Sequence, residues 1–132
     1  MKILIVEDEF VSREKIYQIL KNFGDCTVAE GGKAALALFK DALQKGHPFD
    51  LITLDISMPD MDGKDVLKQI REIENSMNLE SPKKTKVIML TGYADKGNIQ
   101  GSLKAGCDDY LLKPFDKHII EEKLKNLNLI KK

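Results

Sequence analysis

Four short stretches of the chain carry side chains suited to a single reaction. Glu7-Asp8 is an acidic pair, and Asp55 follows the apolar run Leu51-Ile-Thr-Leu54. Thr91-Gly92 offers a hydroxyl beside a backbone amide, and Lys113-Pro114 an ammonium. Singly, each has an ordinary explanation: acids cap helices, Thr-Gly makes turns, and Lys before Pro is common at surfaces. Brought together, they complement one another. Three carboxylates in one place raise each other's pKa unless a cation intervenes. Hard oxygen ligands with room for water suit Mg²⁺, which takes one or two carboxylates, waters and a phosphate. Asp55 is then a nucleophile, Lys113 a second positive charge, and Thr91 with the Gly92 amide a pair of donors. These are the parts of a phosphoryl-transfer site. They act together only if the fold makes them meet.

Hydrophobic periodicity supplies the carriers. Lys2–Val6 is a β-branched strand, and from Ser12 to Phe23 the residues Ile16, Ile19, Leu20 and Phe23 fall at helical spacing before Gly24. Thr27–Ala29 is a short second strand, and Ala35, Leu38, Phe39 and Ala42 mark a helix ending near Gly46-His47-Pro48. Leu51–Leu54 is a third strand, followed by a helix striped by Val66, Leu67, Ile70 and Ile73. Lys86–Leu90 is a fourth strand, with a helix starting near Asp95. Asp109–Leu112 is a fifth, and Ile120, Leu124 and Leu127 stripe a last helix. Strands alternating with helices imply βαβ units and a parallel sheet covered on both faces. That explains why the strands read as continuous apolar runs. In such sheets ligands sit beyond the carboxyl ends of the strands, which is where all four reactive stretches fall.

The bulk composition narrows the field. The 132 residues suit one domain filling the chain, 1–132, with no linker, repeat or output domain read within it. Twenty-one basic and twenty-one acidic residues cancel, so no net field favours direct nucleic-acid or membrane binding. No apolar run approaches a membrane span, and MKILIVEDE turns acidic too early for a signal peptide. Cys26 and Cys107 lack CxxC spacing, which argues for two reduced thiols in a cytoplasmic protein.

With these elements in place, the sequence resembles the receiver domain of two-component response regulators, and in length a stand-alone CheY-like protein. The similarity spans nearly the whole chain. It rests on Glu7-Asp8, on the D-x-x-M-P-x-M-x-G stretch from Asp55 to Gly63, on Thr91-Gly92, and on Tyr110-Leu-Leu-Lys113-Pro114-Phe115. The resemblance implies a flavodoxin-like, doubly wound five-stranded parallel sheet in the order 2-1-3-4-5 with five helices.

It also implies roles. Asp55 is the phospho-acceptor, attacking a phosphohistidine of a sensor histidine kinase or histidine phosphotransfer protein. Asp8, Asp55 and the backbone carbonyl of Ser57 hold Mg²⁺ or Mn²⁺, with Glu7 reaching it through water. Lys113 pairs with Asp55 and later with a phosphoryl oxygen, Gly92 contacts that group, and Thr91 moves to hydrogen-bond it. Tyr110 is the switch aromatic, and the Lys113-Pro114 peptide is cis. Met58, Pro59, Met61 and Gly63 shape the loop. Ser57 and Tyr93 border the attacking water and tune phosphoryl lifetime. The output is a population shift of helix four, strand five and helix five, selected by a downstream protein, as a monomer or a phosphorylation-dependent dimer. Such a protein catalyses only its own phosphorylation and dephosphorylation.

Two further expectations concern helix four and rival functions. Gly97 and Gly101 each cost about 1 kcal/mol relative to Ala inside a helix, which predicts fraying before activation. A flavodoxin-type carrier shares the fold, but Glu7-Asp8-Glu9 would repel a flavin phosphate. A haloacid-dehalogenase-type phosphohydrolase would carry a second Asp where Ser57 stands. A calcium loop at PDMDG lacks its first Asp and closing Glu. A phosphorylation-independent pseudo-receiver would usually have lost an acid, Thr or Lys, and none is missing.

Overall fold

Apolar strands and striped helices alternate along the chain in the order their periodicity predicts. The computed structural model describes residues 1–77, 84–92 and 98–131. Its elements are β1 (Lys2–Val6), α1 (Phe10–Leu20), β2 (Asp25–Ala29), α2 (Gly32–Gln44) and β3 (Leu51–Asp55). They continue with α3 (Gly63–Ser76), β4 (Lys86–Gly92), α4 (Asn98–Ala105), β5 (Asp109–Lys113) and α5 (Lys117–Asn126). The strands pair in parallel in the order β2-β1-β3-β4-β5. This is the flavodoxin-like order, with its switch point between β1 and β3.

Side-chain alternation along the strands divides the core into two layers. Leu4, Val6, Ile52, Leu54, Val87 and Met89 pack with Phe39 of α2 and with Val66, Leu67 and Ile70 of α3. On the other face, Ile3, Ile5, Leu51, Ile88, Leu90 and Leu111 pack with Ile16 and Leu20 of α1 and with Ile120 and Leu124 of α5. Each fully buried side chain of this kind contributes about 1.5–3 kcal/mol. Thr53 interrupts the second layer: it is 2 % exposed, and its Oγ1 has no hydrogen-bond partner among the described residues. Thr53→Val removes that hydroxyl at nearly constant shape. It is expected to raise stability by about 1 kcal/mol in urea unfolding; an unchanged or lower midpoint contradicts this.

Several boundaries differ from the periodicity. The first helix begins at Phe10 rather than Ser12, because the Glu9 carboxylate caps it by accepting from the Ser12 N–H at 2.6 Å. The cap is therefore neither Glu7 nor Asp8. The helix ends at Leu20, and Phe23 belongs to the following turn, its N–H donating to the Leu20 carbonyl. Strand β2 starts at Asp25 rather than Thr27, since the ladder with β1 also takes in Asp25 and Cys26. Three strands also run further than the apolar pattern shows, because backbone pairing continues under polar side chains. Asp55, Thr91, Gly92 and Lys113 are all ladder residues, opposite Leu90, Leu112, Lys113 and Gly92. The start of helix four near Asp95, and Gly97, lie outside the described residues.

A buried ion network fastens α3 to the far end of the sheet. Glu74 is fully buried and accepts from the Thr85 N–H at 2.7 Å and from Arg71 at 2.7 Å. Arg71 also donates to the Thr85 and Gly106 carbonyls and pairs with Asp108 at 2.8 Å. Both cysteines are free, and burial pushes both thiols up, Cys107 to about 11.

Candidate active site

Glu7 follows β1 directly, and its N–H donates to the Ala29 carbonyl at 3.1 Å, extending the ladder by one residue. Its carboxylate is fully buried, while Asp8 beside it is more open. Arg13, one turn into α1, donates to the Glu7 and Asp8 carbonyls at 3.2 and 3.3 Å. It also pairs with Glu30 at 3.2 Å, so the acidic turn is held between α1 and the end of β2.

Asp55 ends β3 and is 6 % exposed, and its Oδ1 accepts from the Ser57 N–H at 3.3 Å. Directly below the loop, Gly63 opens α3 where a Cβ would stand 2.2 Å from the Asp55 carbonyl oxygen. Any larger residue there would displace the acid. Lys113 reaches across from the end of β5 to stand 3.0 Å from Glu7 Oε2 and 3.6 Å from Asp55 Oδ1. The ammonium thus lies nearer Glu7 than the Asp55 carboxylate with which the resemblance pairs it. Burial of both acids behind one cation explains the sharing. The Lys113-Pro114 peptide is cis.

Electrostatics single out Asp55. Burial pushes its carboxyl up first, and the neighbouring Glu7 charge adds to this. Lys113 pulls in the other direction, a hydrogen bond with Glu7 raises it again, and the Ser57 amide lowers it. The result is about 7, against an ordinary 3.8. Glu7, Asp8 and Asp55 each offer an oxygen, and these atoms all lie within 4.8 Å of one another. Fully ionised, three carboxylates with one ammonium carry two uncompensated negative charges. That donor set fits a divalent cation of the oxygen-seeking kind.

Thr91 and Gly92 end β4, between the strands bearing Asp55 and Lys113. The Thr91 hydroxyl is buried and lies 3.4 Å from the Gly92 carbonyl. Tyr110 sits near the start of β5, half-buried against the α2/α3 layer, with Lys123 Nζ 5.2 Å from its ring centroid. Tyr93 lies outside the described residues. Glu7, Asp8, Asp55, Ser57 and Lys113 therefore converge on one rim, with Thr91 and Gly92 alongside.

The family model for the response regulator receiver domain matches residues 3–125. This chain belongs to that family. Among relatives, the receiver domain is 34% identical to the chemotaxis protein CheY of Bacillus subtilis, over 96% of this chain and 98% of that protein. It is also 34% identical to hybrid signal transduction histidine kinase I of Dictyostelium discoideum, over 92% of this chain but only 7% of that protein. Among solved structures, the receiver domain of the Pseudomonas aeruginosa sensor histidine kinase PA1611 superposes with a TM-score of 0.76 at 28% identity. That match covers 95% of this chain and 94% of the other, which has a magnesium ion coordinated in its active site cleft. The protein is thus a CheY-like receiver domain of two-component signalling. No helix among the described residues is long and apolar enough to cross a membrane.

Sequence reasoning missed the supports of this receiver site. The Arg13 contacts, Glu9 as the cap and the closer Glu7–Lys113 pairing are features of the folded chain alone. An arginine or glutamate at the start of a helix carries no distinguishing signal in a single sequence.

Proposed function

We propose that this receiver domain accepts a phosphoryl group on Asp55 from a phosphohistidine of a sensor histidine kinase or histidine phosphotransfer protein. One observation carries this: Asp55 stands at the end of β3, 3.6 Å from Lys113, with oxygens of Glu7, Asp8 and Asp55 all within 4.8 Å of one another. An Asp55 carboxylate oxygen attacks phosphorus, and a P–O bond forms as the P–N bond breaks. The departing electron pair stays on the imidazole nitrogen, which takes a proton from solvent. Lys113 offsets the charge developing on the phosphoryl oxygens, and the Thr91 hydroxyl and Gly92 amide supply donors on the β4 side. Asp8, Asp55 and the Ser57 carbonyl would hold Mg²⁺ or Mn²⁺, with Glu7 through water; when bound, the ion neutralises charge shared between acceptor and phosphoryl oxygens. Water later attacks phosphorus and returns the carboxylate with inorganic phosphate, a step whose rate Ser57 and Tyr93 tune. The protein acts catalytically on itself alone.

The phosphorylated state repositions Thr91 and Tyr110 and shifts the population of the α4-β5-α5 face, which a cytoplasmic protein partner reads. The experiment uses phosphoramidate, a small P–N donor. With Mg²⁺ the intact mass is expected to rise by one phosphoryl group, and with excess chelator it stays unchanged. No gain in Mg²⁺, or equal gain in chelator, refutes the proposal.

A further inference from the structure

The loop between β3 and α3 carries Ser57, and its tether lies on a neighbouring helix. At its near end the Ile56 N–H donates to the Leu90 carbonyl at 3.1 Å, and the Gly63 N–H donates back to the Ile56 carbonyl at 2.8 Å. At its far end Asp62 caps α3, accepting from the Lys64 N–H at 2.8 Å. Between them stands Asp60, whose carboxylate faces the start of α2. Its Oδ1 accepts from the Gly32 N–H at 3.1 Å and its Oδ2 from the Lys33 N–H at 3.2 Å.

Those amides open α2, and α2 has no cap of its own. Its N-cap residue is Gly31, in extended backbone at φ −167°, with no side chain to accept from the first turn. Helix starts leave such N–H groups without intrahelical partners and favour negative charge. Asp60 supplies both from another element, and its pKa is lowered chiefly by the Gly32 and Lys33 amides. Gly31 is shaped to allow this: a Cβ there would stand 2.8 and 2.9 Å from the two Asp60 oxygens. A Ser or Asp at position 31 would therefore push the Asp60 carboxylate off these amides.

We infer that Asp60 is a positioning residue for the acceptor site: capping α2 from outside holds the 56–62 loop, and hence the Ser57 backbone, in register with Asp55. The arrangement serves the α2 terminus and the loop at once, and a double variant separates the two. In Asp60→Ala both the cap and the tether are lost. Adding Gly31→Ser restores a cap to α2, because the carboxylate that crowded the Cβ is gone, but it leaves the loop untethered.

The inference rests on the phosphoryl-acceptor function, so wild type labelled by phosphoramidate is the control; failure of that control overturns the function itself. The readouts are the Mg²⁺ concentration giving half-maximal labelling rate and the thermal midpoint. Asp60→Ala is expected to raise the Mg²⁺ midpoint about three- to tenfold, less than the 10–100-fold typical when a ligand's direct partner is removed. Asp60→Ala with Gly31→Ser recovers thermal stability while the Mg²⁺ midpoint stays displaced. Unchanged Mg²⁺ dependence in Asp60→Ala overturns the inference. So does recovery of the wild-type midpoint in the double variant, which would reduce Asp60 to a helix cap.

Discussion

Lys113→Met is expected to slow phosphoryl uptake from phosphoramidate by about a hundredfold or more, the scale of removing one preorganised group that meets developing charge. The same change destabilises the metal-free protein. Lys113 stands 3.0 Å from the fully buried Glu7 and 3.6 Å from Asp55, and its own side chain is 26% exposed. Methionine preserves the stem and removes the ammonium, leaving two carboxylates facing each other without a cation. Breaking such a pair from one side costs about 2–4 kcal/mol, less where a proton can replace the lost charge. Urea unfolding should therefore show a larger loss at pH 8 than at pH 5. Saturating Mg²⁺ should recover part of the stability but not the rate. A labelling rate within threefold of wild type would contradict the role assigned to Lys113.

Asp55→Asn produces the opposite change in stability. The Asp55 carboxyl titrates at about 7 in the folded metal-free protein, chiefly through burial, against an ordinary 3.8. Between those values the unfolded chain has released its proton while the folded chain retains it, so rising pH favours unfolding. The penalty is absent below about pH 4, grows through the interval and is complete above about pH 7. At about 1.36 kcal/mol per pH unit its ceiling is roughly 4 kcal/mol, and relaxation around the carboxylate reduces the expected gain in Asp55→Asn to on the order of 2 kcal/mol. The variant should thus match wild type near pH 4 and exceed it at pH 8. Added Mg²⁺, which stabilises whichever protein binds it, should narrow or reverse the difference at pH 8. Equal stability at pH 4 and pH 8, without metal, would mean that Asp55 is not held in the electrostatic conflict described.

The fold was legible because its signals are long and repeated. Five apolar runs separated by helical stripes leave few alternatives to a covered parallel sheet, and the β2-β1-β3-β4-β5 order followed from the family resemblance. The reactive groups were legible because each directly ends or follows an apolar run. What stayed hidden depends on partners distant in sequence. Glu7 and Lys113 are 106 residues apart, and nothing in either stretch shows that the lysine lies closer to Glu7 than to Asp55. Asp60 carried no signal of its own in the sequence, since its partners are the amides of Gly32 and Lys33, 28 and 27 residues earlier. Strand ends were read short at Asp55, Thr91 and Lys113, because a backbone ladder continues where side-chain hydrophobicity stops.

Where the phosphoryl group resides is the most direct question to put to this protein. Labelling with phosphoramidate and Mg²⁺, reducing the acyl phosphate with borohydride, and mapping the peptides answers it, because reduction converts a phosphorylated aspartate to homoserine. The expected result is homoserine mass at position 55 alone, absent from Asp55→Asn. Conversion at Asp8 or another acid, or a borohydride-resistant phosphoryl group on a serine, threonine or histidine, would contradict the assignment of Asp55.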